Sequence, residues 1–324
     1  MIASASVRAR SDALAGAAEA VKRRGVWVAL AASIAFGVVW VPAFATLDNA
    51  TAVARLAAAL GIVAVGQTFV ILTAGIDLSV GMLMGLVVVL ANGIMDGNPA
   101  LIPAVVALGI VVGLGVGAAN GLLIVATRVQ PVIVTLGMLS ILQGAIFVYT
   151  DRTVGAAPPE FRELAYGSLG PIPNAFLLMA AVAVVGALVL AWTPFGRYIY
   201  ALGGDESNAR RAGIPVARIK VGAYVVSGLA AGIAGILLAA RLGSGFPLAG
   251  QGFELNAVVA VVLGGTALSG GRGGVAGTIA AVFLLAIIGN LLNLLGISPF
   301  VQQLVNGLVI VLAVALSTAG RRRA

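Results

Sequence analysis

One carboxylate lies in a long apolar stretch where it could do chemistry. Asp77 is part of the segment GIDLSVG (75–81) and is the only charged residue in the range 56–95. Inside a membrane, such a group can relay protons or cations, although a relay needs partner groups and no other acidic residue lies well inside a predicted span. Asp77 could instead cap the following helix, or serve in a hinge of a broken helix, with Gly75 and Gly81 relaxing the backbone. The residues alone leave these three interpretations open.

The composition is that of a membrane protein. Of 324 residues, 61% are hydrophobic and 9% are charged, so the chain lacks the polar surface that a soluble globule needs. A hydrocarbon core about 30 Å thick is crossed by about 20 apolar residues in a helix. We therefore predict an all-α polytopic membrane protein with a membrane domain over 26–317 and about ten transmembrane helices, at 26–45, 53–74, 78–95, 100–126, 131–149, 174–193, 221–240, 253–271, 274–295 and 299–317. The eighth is short and is the weakest of the ten.

Positive charge is sorted to one side of this domain. If ten spans alternate from a cytoplasmic N-terminus, every lysine and arginine lies inside except Arg55, Arg152, Arg162 and Arg241. This asymmetry follows the positive-inside rule and predicts cytoplasmic tails over 1–25 and 318–324. The net charge of +8 is not gathered into a patch with interleaved aromatic residues, so we expect no nucleic-acid partner.

Two polar segments interrupt the hydrophobic pattern. The first, 150–173, is predicted to be extracytoplasmic and contains PEFREL, which could form an interfacial helix. The second, 194–220, is predicted to be a cytoplasmic loop that contains one short helix, bounded by a break at Gly203 and Gly204 and by Gly213 with Pro215. Such a helix could dock onto another protein, or it could be part of an ordinary solvated loop.

Uncharged polar residues are spread through the predicted spans. They could line a pathway for a neutral, hydroxyl-rich solute, or form hydrogen bonds between helices; the candidates for lining are Gln67, Thr135, Asn290 and Asn293. Glu254, at a predicted span end, is interpreted as an interface charge. Gly113 and Gly117 have the spacing that lets two membrane helices approach closely.

The sequence excludes several kinds of active site. It contains no cysteine and no histidine, which removes thiolate nucleophiles, histidine bases and the usual zinc ligands. Neither Lys22 nor Lys220 is followed by Ser or Thr, so there is no Walker A phosphate loop, and GGRGG (270–274) lacks the same Lys-Ser/Thr pair. We expect no enzyme activity, no metal site and no cofactor in this chain. If transport is active, a separate ATPase would bind ATP and magnesium, because the few buried charges disfavour coupling to an ion gradient.

Four segments together resemble the permease subunits of bacterial ATP-binding-cassette (ABC) sugar importers of the ribose, xylose and galactose type. These segments are GQTFVILTAGIDLSVG (66–81), QPVIVTLGML (130–139), ALGGDESNARRAGIPVARIK (201–220) and GFELNAVVAVVLGGTALSGGRGG (252–274). Ala74 and Asn256 depart from the family pattern, in which a glycine and an aspartate are common.

The resemblance implies a type II importer bundle in the bacterial inner membrane. Each permease would pair with a second permease, in a homodimer or a pseudo-symmetric pair, and rest on a cytoplasmic ATPase, while an extracytoplasmic binding protein delivers the sugar. It places the coupling to the ATPase at Gly204, Asp205, Glu206, Asn208, Ala209, Arg210, Arg211, Gly213 and Ile214. It places a gating signature at Gly75, Asp77, Ser79 and Gly81.

The expected mechanism is alternating access, in which ATP binding turns the bundle from inward-facing to outward-facing and sugar enters between two permeases. Two alternatives remain open. A secondary transporter or channel acting alone would need an ionisable relay or a selectivity ring inside the membrane, for which Asp77 is the candidate. A related ABC permease for branched-chain amino acids or another small solute would differ only in its cargo.

Overall fold

The computed structural model describes residues 25–298, 300–305 and 307–308. These residues form helices joined by short loops, with one β-hairpin. The helices are α1 (Gly25–Trp40), α2 (Leu47–Leu72), α3 (Val80–Met95), α4 (Ile102–Thr127), α5 (Pro131–Tyr149), α6 (Pro159–Tyr166), α7 (Asn174–Trp192), α8 (Pro194–Gly204), α9 (Glu206–Arg211), α10 (Val216–Leu242), α11 (Phe253–Leu263) and α12 (Val275–Leu294), with a 3₁₀ turn at Pro99–Leu101. Strand β1 (Ser168–Leu169) pairs antiparallel with β2 (Ile172–Pro173).

Six helices in the described part of the chain are long and apolar enough to cross a membrane: α2, α4 with the 3₁₀ turn before it, α5, α7, α10 and α12. Three shorter apolar helices, α1, α3 and α11, accompany them. The prediction of an all-α polytopic membrane protein is therefore confirmed. Of the tenth predicted span, 299–317, residues 300–305 and 307–308 are described and are helical. The rest of that span, and all but residue 25 of the two predicted tails, lie outside the described residues.

Several predicted span boundaries are wrong. The first span was extended to residue 45, but α1 ends at Trp40. The second and seventh predicted spans began too late. Helix α2 begins at Leu47, directly after its N-cap Thr46, and α10 begins at Val216, directly after Pro215. Apolar composition marks the part of a helix that lies in lipid, whereas caps and prolines decide where the helix itself begins.

The eighth predicted span, 253–271, is the largest error. Only α11 is helical there, and residues 264–274 form a loop before α12. The chain before α11 is irregular and runs along α3, since an added Cβ at Gly85 would lie 3.5 Å from the backbone nitrogen of Gly250. Helix α11 therefore starts inside the bundle, and its eleven residues span about half of the hydrocarbon core.

Helices α2 and α10 form the centre of the bundle. In their most apolar stretches 83% and 67% of residues are buried, against 17–28% in α4, α5 and α7. Helix α2 packs against α7, α10, α11 and α12, while α10 also packs against α3 and α4. The apolar outer sides of α4, α5 and α7 thus remain free to contact lipid or a second chain.

Glycines bring α4 and α10 into backbone contact. An added Cβ at Gly113 would lie 2.5 Å from the carbonyl oxygen of Gly228, and one at Gly117 would overlap the carbonyl oxygen of Tyr224. Glycine is required at both positions because a side chain would push the helices apart. The predicted close approach through Gly113 and Gly117 is confirmed.

The two polar segments lie at opposite ends of the bundle, because α7 runs from one to the other. The segment 150–173 contains α6 and the β-hairpin, and Val154 pairs with Gly245 beside it. The segment 194–220 contains α8 and α9. We refer to these ends as the α6 end and the α9 end.

Candidate functional site

The segment between α2 and α3 turns back into the bundle and carries Asp77 with it. Helix α2 ends at Leu72, Ala74 has a positive φ of 62°, and α3 begins only at Val80. The Asp77 side chain is 1% exposed. The Asp77 backbone lies beside the side chain of Gln67, which is five residues before the end of α2. At 1.5 Å per residue, Asp77 therefore lies roughly 7 Å from the α9 end, inside the bundle.

Serine side chains hold the Asp77 carboxylate. Its Oδ1 accepts hydrogen bonds from the Ser79 amide at 3.0 Å and the Ser79 hydroxyl at 2.6 Å, and its Oδ2 accepts one from the Ser227 hydroxyl at 3.0 Å. Ser79 Oγ in turn accepts from Asn120 Nδ2 at 2.8 Å. The cluster therefore ties the segment after α2 to α10 and α4.

The prediction that Asp77 caps α3 is wrong. Ser79 is the N-cap residue of α3, and its side chain makes no capping hydrogen bond. Asp77 bonds instead to the backbone two residues ahead, which is the Asx-turn pattern. Among the described residues, no lysine or arginine forms an ion pair with Asp77. The carboxylate acts in this structure as an acceptor that joins three segments.

Two of the predicted pathway residues support the same segment. Thr135 Oγ1 donates to the Ile76 carbonyl at 3.2 Å. The Gln67 amide, oriented to satisfy both groups, accepts from the Asp77 amide and donates to the Asp77 carbonyl at 3.2 Å each. Both side chains are fully buried.

The other two predicted pathway residues lie elsewhere. Asn290 Nδ2 donates to Asn49 Oδ1 at 2.8 Å, which joins α12 to α2 near the α6 end. Asn293 is exposed one turn further along α12. A pathway-lining role remains a prediction for Gln67, Thr135, Asn290 and Asn293 alike.

The two signature glycines make room for large side chains. An added Cβ at Gly75 would lie 2.5 Å from Tyr224 Oη, and one at Gly81 would overlap Glu254 Oε2. Glu254 is only 9% exposed, and its two carboxylate oxygens accept from the Gly252 amide at 3.1 Å. The prediction that Glu254 is an interface charge is therefore wrong, because α11 begins inside the bundle.

Helices α8 and α9 form a small unit at the α9 end. Asp205 caps α9 by accepting from the Asn208 amide at 2.8 Å, and Gly213 has a φ of 78° where the chain turns toward α10. Gly203 and Gly204 are the last residues of α8, so the predicted break at this pair is wrong, and the single predicted helix is in fact two.

Helix α9 presents one face outward and one inward. Glu206, Asn208, Arg210 and Arg211 are exposed, whereas Ala209 is buried against the bundle. Glu206 forms ion pairs with Lys220 at 2.7 Å and with Arg210 at 3.1 Å. The first of these pairs fastens α9 to the start of α10.

Comparison with known proteins adds a family to this geometry. A family model described as "Branched-chain amino acid transport system / permease component" matches residues 49–314. The chain belongs to this permease family. It is 41% identical to the ribose import permease proteins of Escherichia coli (strain K12) and Bacillus subtilis (strain 168), covering 84–85% of this chain and 86% of each relative. The L-arabinose transport system permease protein of Escherichia coli (strain K12) is 36% identical over 85% of this chain and 84% of its own. No solved structure matched the chain.

Sequence reasoning did not connect several of this permease's buried residues with Asp77. Ser227 and Asn120 lie in other helices, 150 and 43 positions further along the chain, and Tyr224 covers Gly75. A serine or asparagine in a glycine-rich span carries no spacing signal for such a partner. The sequence does show that GIDLSVG places the Asp77 carboxylate two residues from the Ser79 hydroxyl, between apolar helices.

Removing the Glu206 carboxylate should have a small and pH-dependent effect. The hydrogen bond from Lys220 lowers the pKa of Glu206, so the stabilisation is present above the carboxyl's unfolded pKa and is lost as pH falls through the lowered one. We expect Glu206→Gln to lower the free energy of unfolding at pH 7 by about 1 kcal/mol or less, as for exposed ion pairs. Thermal unfolding in detergent at neutral and acidic pH measures this difference, and a gap that persists in acid would contradict the assignment.

Proposed function

We propose that this chain is the permease subunit of an ATP-driven, binding-protein-dependent importer of a monosaccharide such as ribose, arabinose, xylose or galactose. The observation that carries the proposal is the likeness to two kinds of sugar permease over more than four fifths of the chain. The family description refers to branched-chain amino acids, which makes an amino acid the alternative cargo for the test.

In this proposal α9 docks onto a separate cytoplasmic ATPase. Its exposed polar and basic side chains face outward, while Ala209 and the Glu206–Lys220 pair hold the helix to the bundle. ATP and magnesium would be bound by the partner, because this sequence has no Walker A loop. The docking segment comprises Gly204, Asp205, Glu206, Asn208, Ala209, Arg210, Arg211, Gly213 and Ile214.

The α9 end would face the cytoplasm of a bacterial cell and the α6 end its exterior, where the binding protein docks. Arg128, Arg197 and Arg218 lie at the α9 end, as the positive-inside rule requires. A second permease, most simply another copy of this chain, would complete the transporter against the exposed apolar helices. Asn293 is exposed in the single chain and so could reach a pathway between two copies.

Transport would proceed by alternating access. ATP can shift the equilibrium between inward-facing and outward-facing states only if the ATPase dimer binds ATP more tightly in one of these two states. In this proposal α9 carries the conformational change of the ATPase to the helical bundle. Sugar affinity would belong to the binding protein, and the path between permeases would hold the sugar weakly enough to release it.

The test is reconstitution in lipid nanodiscs with the ATPase and the binding protein encoded beside this chain. We expect the ATPase to assemble on the permease, and its hydrolysis to rise when the binding protein carries D-ribose, L-arabinose, D-xylose or D-galactose. If L-leucine stimulated ATP hydrolysis and none of the sugars did, the transported solute would be an amino acid and not a sugar. Solute uptake by the permease without any ATPase would overturn the proposal in favour of a secondary transporter or channel.

Charge reversal on α9 should separate docking from folding. We expect the double variant Arg210→Glu, Arg211→Glu to lower ATPase binding by about tenfold or more, because like charges would face a surface complementary to arginine. The control, Arg197→Glu with Arg218→Glu, makes the same change in net charge on exposed arginines outside α9. Co-purification of the ATPase measures the difference, and equal loss in both variants would argue against α9 as the docking element.

A further inference from the structure

Three backbone segments meet at the α9 end in a contact made almost entirely of glycine. The Gly271 amide donates to the Leu72 carbonyl at 3.0 Å. An added Cβ at Gly203 would overlap that same carbonyl oxygen, and one at Gly270 would lie 2.9 Å from Gly203 Cα. We call Leu72, Gly203, Gly270 and Gly271 the glycine junction. It joins the end of α8, the end of α2 and the loop between α11 and α12.

The junction leaves no room for adjustment. Gly270 and Gly271 have φ values of 81° and 72°, a conformation that residues with a side chain rarely adopt. Contacts between backbones have no flexible side chain to absorb a displacement, and close-packed interiors transmit strain. If the end of α8 moves, Leu72 and the loop must move with it or the contact must break.

A second contact fixes α8 to the same loop. Tyr200 Oη donates to the Gly273 carbonyl at 3.0 Å. Burial raises the pKa of Tyr200, so the hydroxyl keeps its proton and donates throughout the physiological range. Phe195 stacks on Phe69 of α2 with ring centroids 6.4 Å apart, which seats the other part of α8 on the helix that ends at Leu72.

Beyond Leu72 the chain leads directly to the buried polar cluster. Residues 73–79 follow without another helix, and Asp77 in this segment bonds to Ser79 and Ser227. On the other side of the junction, Asp205 caps α9 immediately after α8. The glycine junction is thus a packed route from the proposed docking helix to Asp77 through backbone atoms, beside the route along α10 from Lys220 to Ser227.

We propose that the glycine junction transmits movement of α8 and α9 to the segment 73–79 and to the start of α12, and that Gly203 and Tyr200 are positioning residues for transport. Gly203 sets the backbone contact and Tyr200 keeps the loop against α8. This inference rests on the proposed docking of an ATPase at α9. It adds that, besides the Glu206–Lys220 pair and the burial of Ala209, a backbone contact at the glycine junction carries the movement to the segment that holds Asp77.

The sharpest test is Gly203→Ala in the reconstituted transporter, with uptake of radiolabelled sugar and ATP hydrolysis measured on the same sample. The added methyl must separate α8 from Leu72, so we expect sugar moved per ATP hydrolysed to fall by roughly tenfold to a hundredfold, while the ATPase still co-purifies. The control is Gly289→Ala on α12, where an added Cβ meets no described atom within 4 Å. A wild-type ratio in folded Gly203→Ala would overturn the proposal.

A milder variant decides the question if Gly203→Ala does not fold. Tyr200→Phe removes one hydroxyl, and the loss of one hydrogen bond should lower the same ratio by about threefold. Tyr198→Phe is the matched control, because Tyr198 is 38% exposed and its hydroxyl forms no hydrogen bond with the described residues. Equal ratios in the two variants, with unchanged melting temperatures, would also overturn the proposal.

The two levels of inference fail differently. If the unmodified permease assembles no ATPase, the proposed function is wrong. If it assembles and couples normally, and the Gly203 and Tyr200 variants couple as well as their controls, only the role of the glycine junction is wrong.

Discussion

Replacing Asp77 with alanine is expected to abolish uptake and to destabilise the permease more than the loss of any exposed acidic residue. Three donors, the Ser79 amide and the hydroxyls of Ser79 and Ser227, would lose their acceptor. Each buried donor left without a partner costs about 1–3 kcal/mol. We expect the free energy of unfolding to fall by about 3 kcal/mol or more.

Denaturant unfolding in detergent and uptake in proteoliposomes test this together. Asp48→Ala is the control, because Asp48 is exposed in the first turn of α2, and it should change stability by about 0.5 kcal/mol or less. Asp77→Asn retains one carbonyl acceptor and should fall between the two. If Asp77→Ala matched Asp48→Ala in stability, the buried cluster would not hold the segment after α2. If Asp77→Asn kept the stability of the wild type yet lost all uptake, charge at Asp77 would matter beyond its hydrogen bonds.

Gly117→Val is expected to have the second large effect, through the contact between α4 and α10. An added Cβ at Gly117 would overlap the Tyr224 carbonyl oxygen, and valine adds two further methyl groups. Because backbone atoms cannot rotate away, α4 must move off α10. Overpacking of this kind costs about 3 kcal/mol, and the shift would also disturb Asn120, which lies one turn further along α4.

Gly115→Val provides a closely matched control for this variant. It lies on the same helix, is exposed, and has no described atom within 4 Å of an added Cβ. Both substitutions place the same β-branched residue in a helix interior, so propensity cancels in the comparison. Yield of monodisperse protein and the denaturant midpoint measure the effect; similar values for the two variants would show that the glycine contact is not needed.

Much of the fold could be predicted from the sequence because the thickness of a membrane sets the length of its helices. The spans at 131–149 and 174–193 match α5 and α7 to within a residue. The end of helix α11 at Leu263 and its position inside the bundle could not be predicted, because a half-length helix and a full span have the same apolar composition. Glu254 was misinterpreted for the same reason, since its burial depends on where α11 begins.

The candidate site was located less completely than the fold. Asp77 was recognisable as the one charge in a long apolar stretch. Ser227 and the glycine junction were not recognisable, because their partners are fixed by tertiary packing between residues far apart in sequence. Gly203 was predicted to be a helix breaker from its type alone, whereas in the structure glycine is needed there for contact with Leu72.

The polar residues along α2 have consequences for how the chain is made. Asn49 bonds to Asn290, Thr68 to Thr278, and Asp77 just beyond the helix to Ser227. During synthesis α2 leaves the ribosome long before these partners exist, and unpaired polar groups are unfavourable in lipid. We therefore expect the insertion machinery to shelter the nascent helix until the last third of the chain arrives. A chain truncated before α12 would leave Asn49 without Asn290 and Thr68 without Thr278, and we expect membrane quality-control proteases to recognise it.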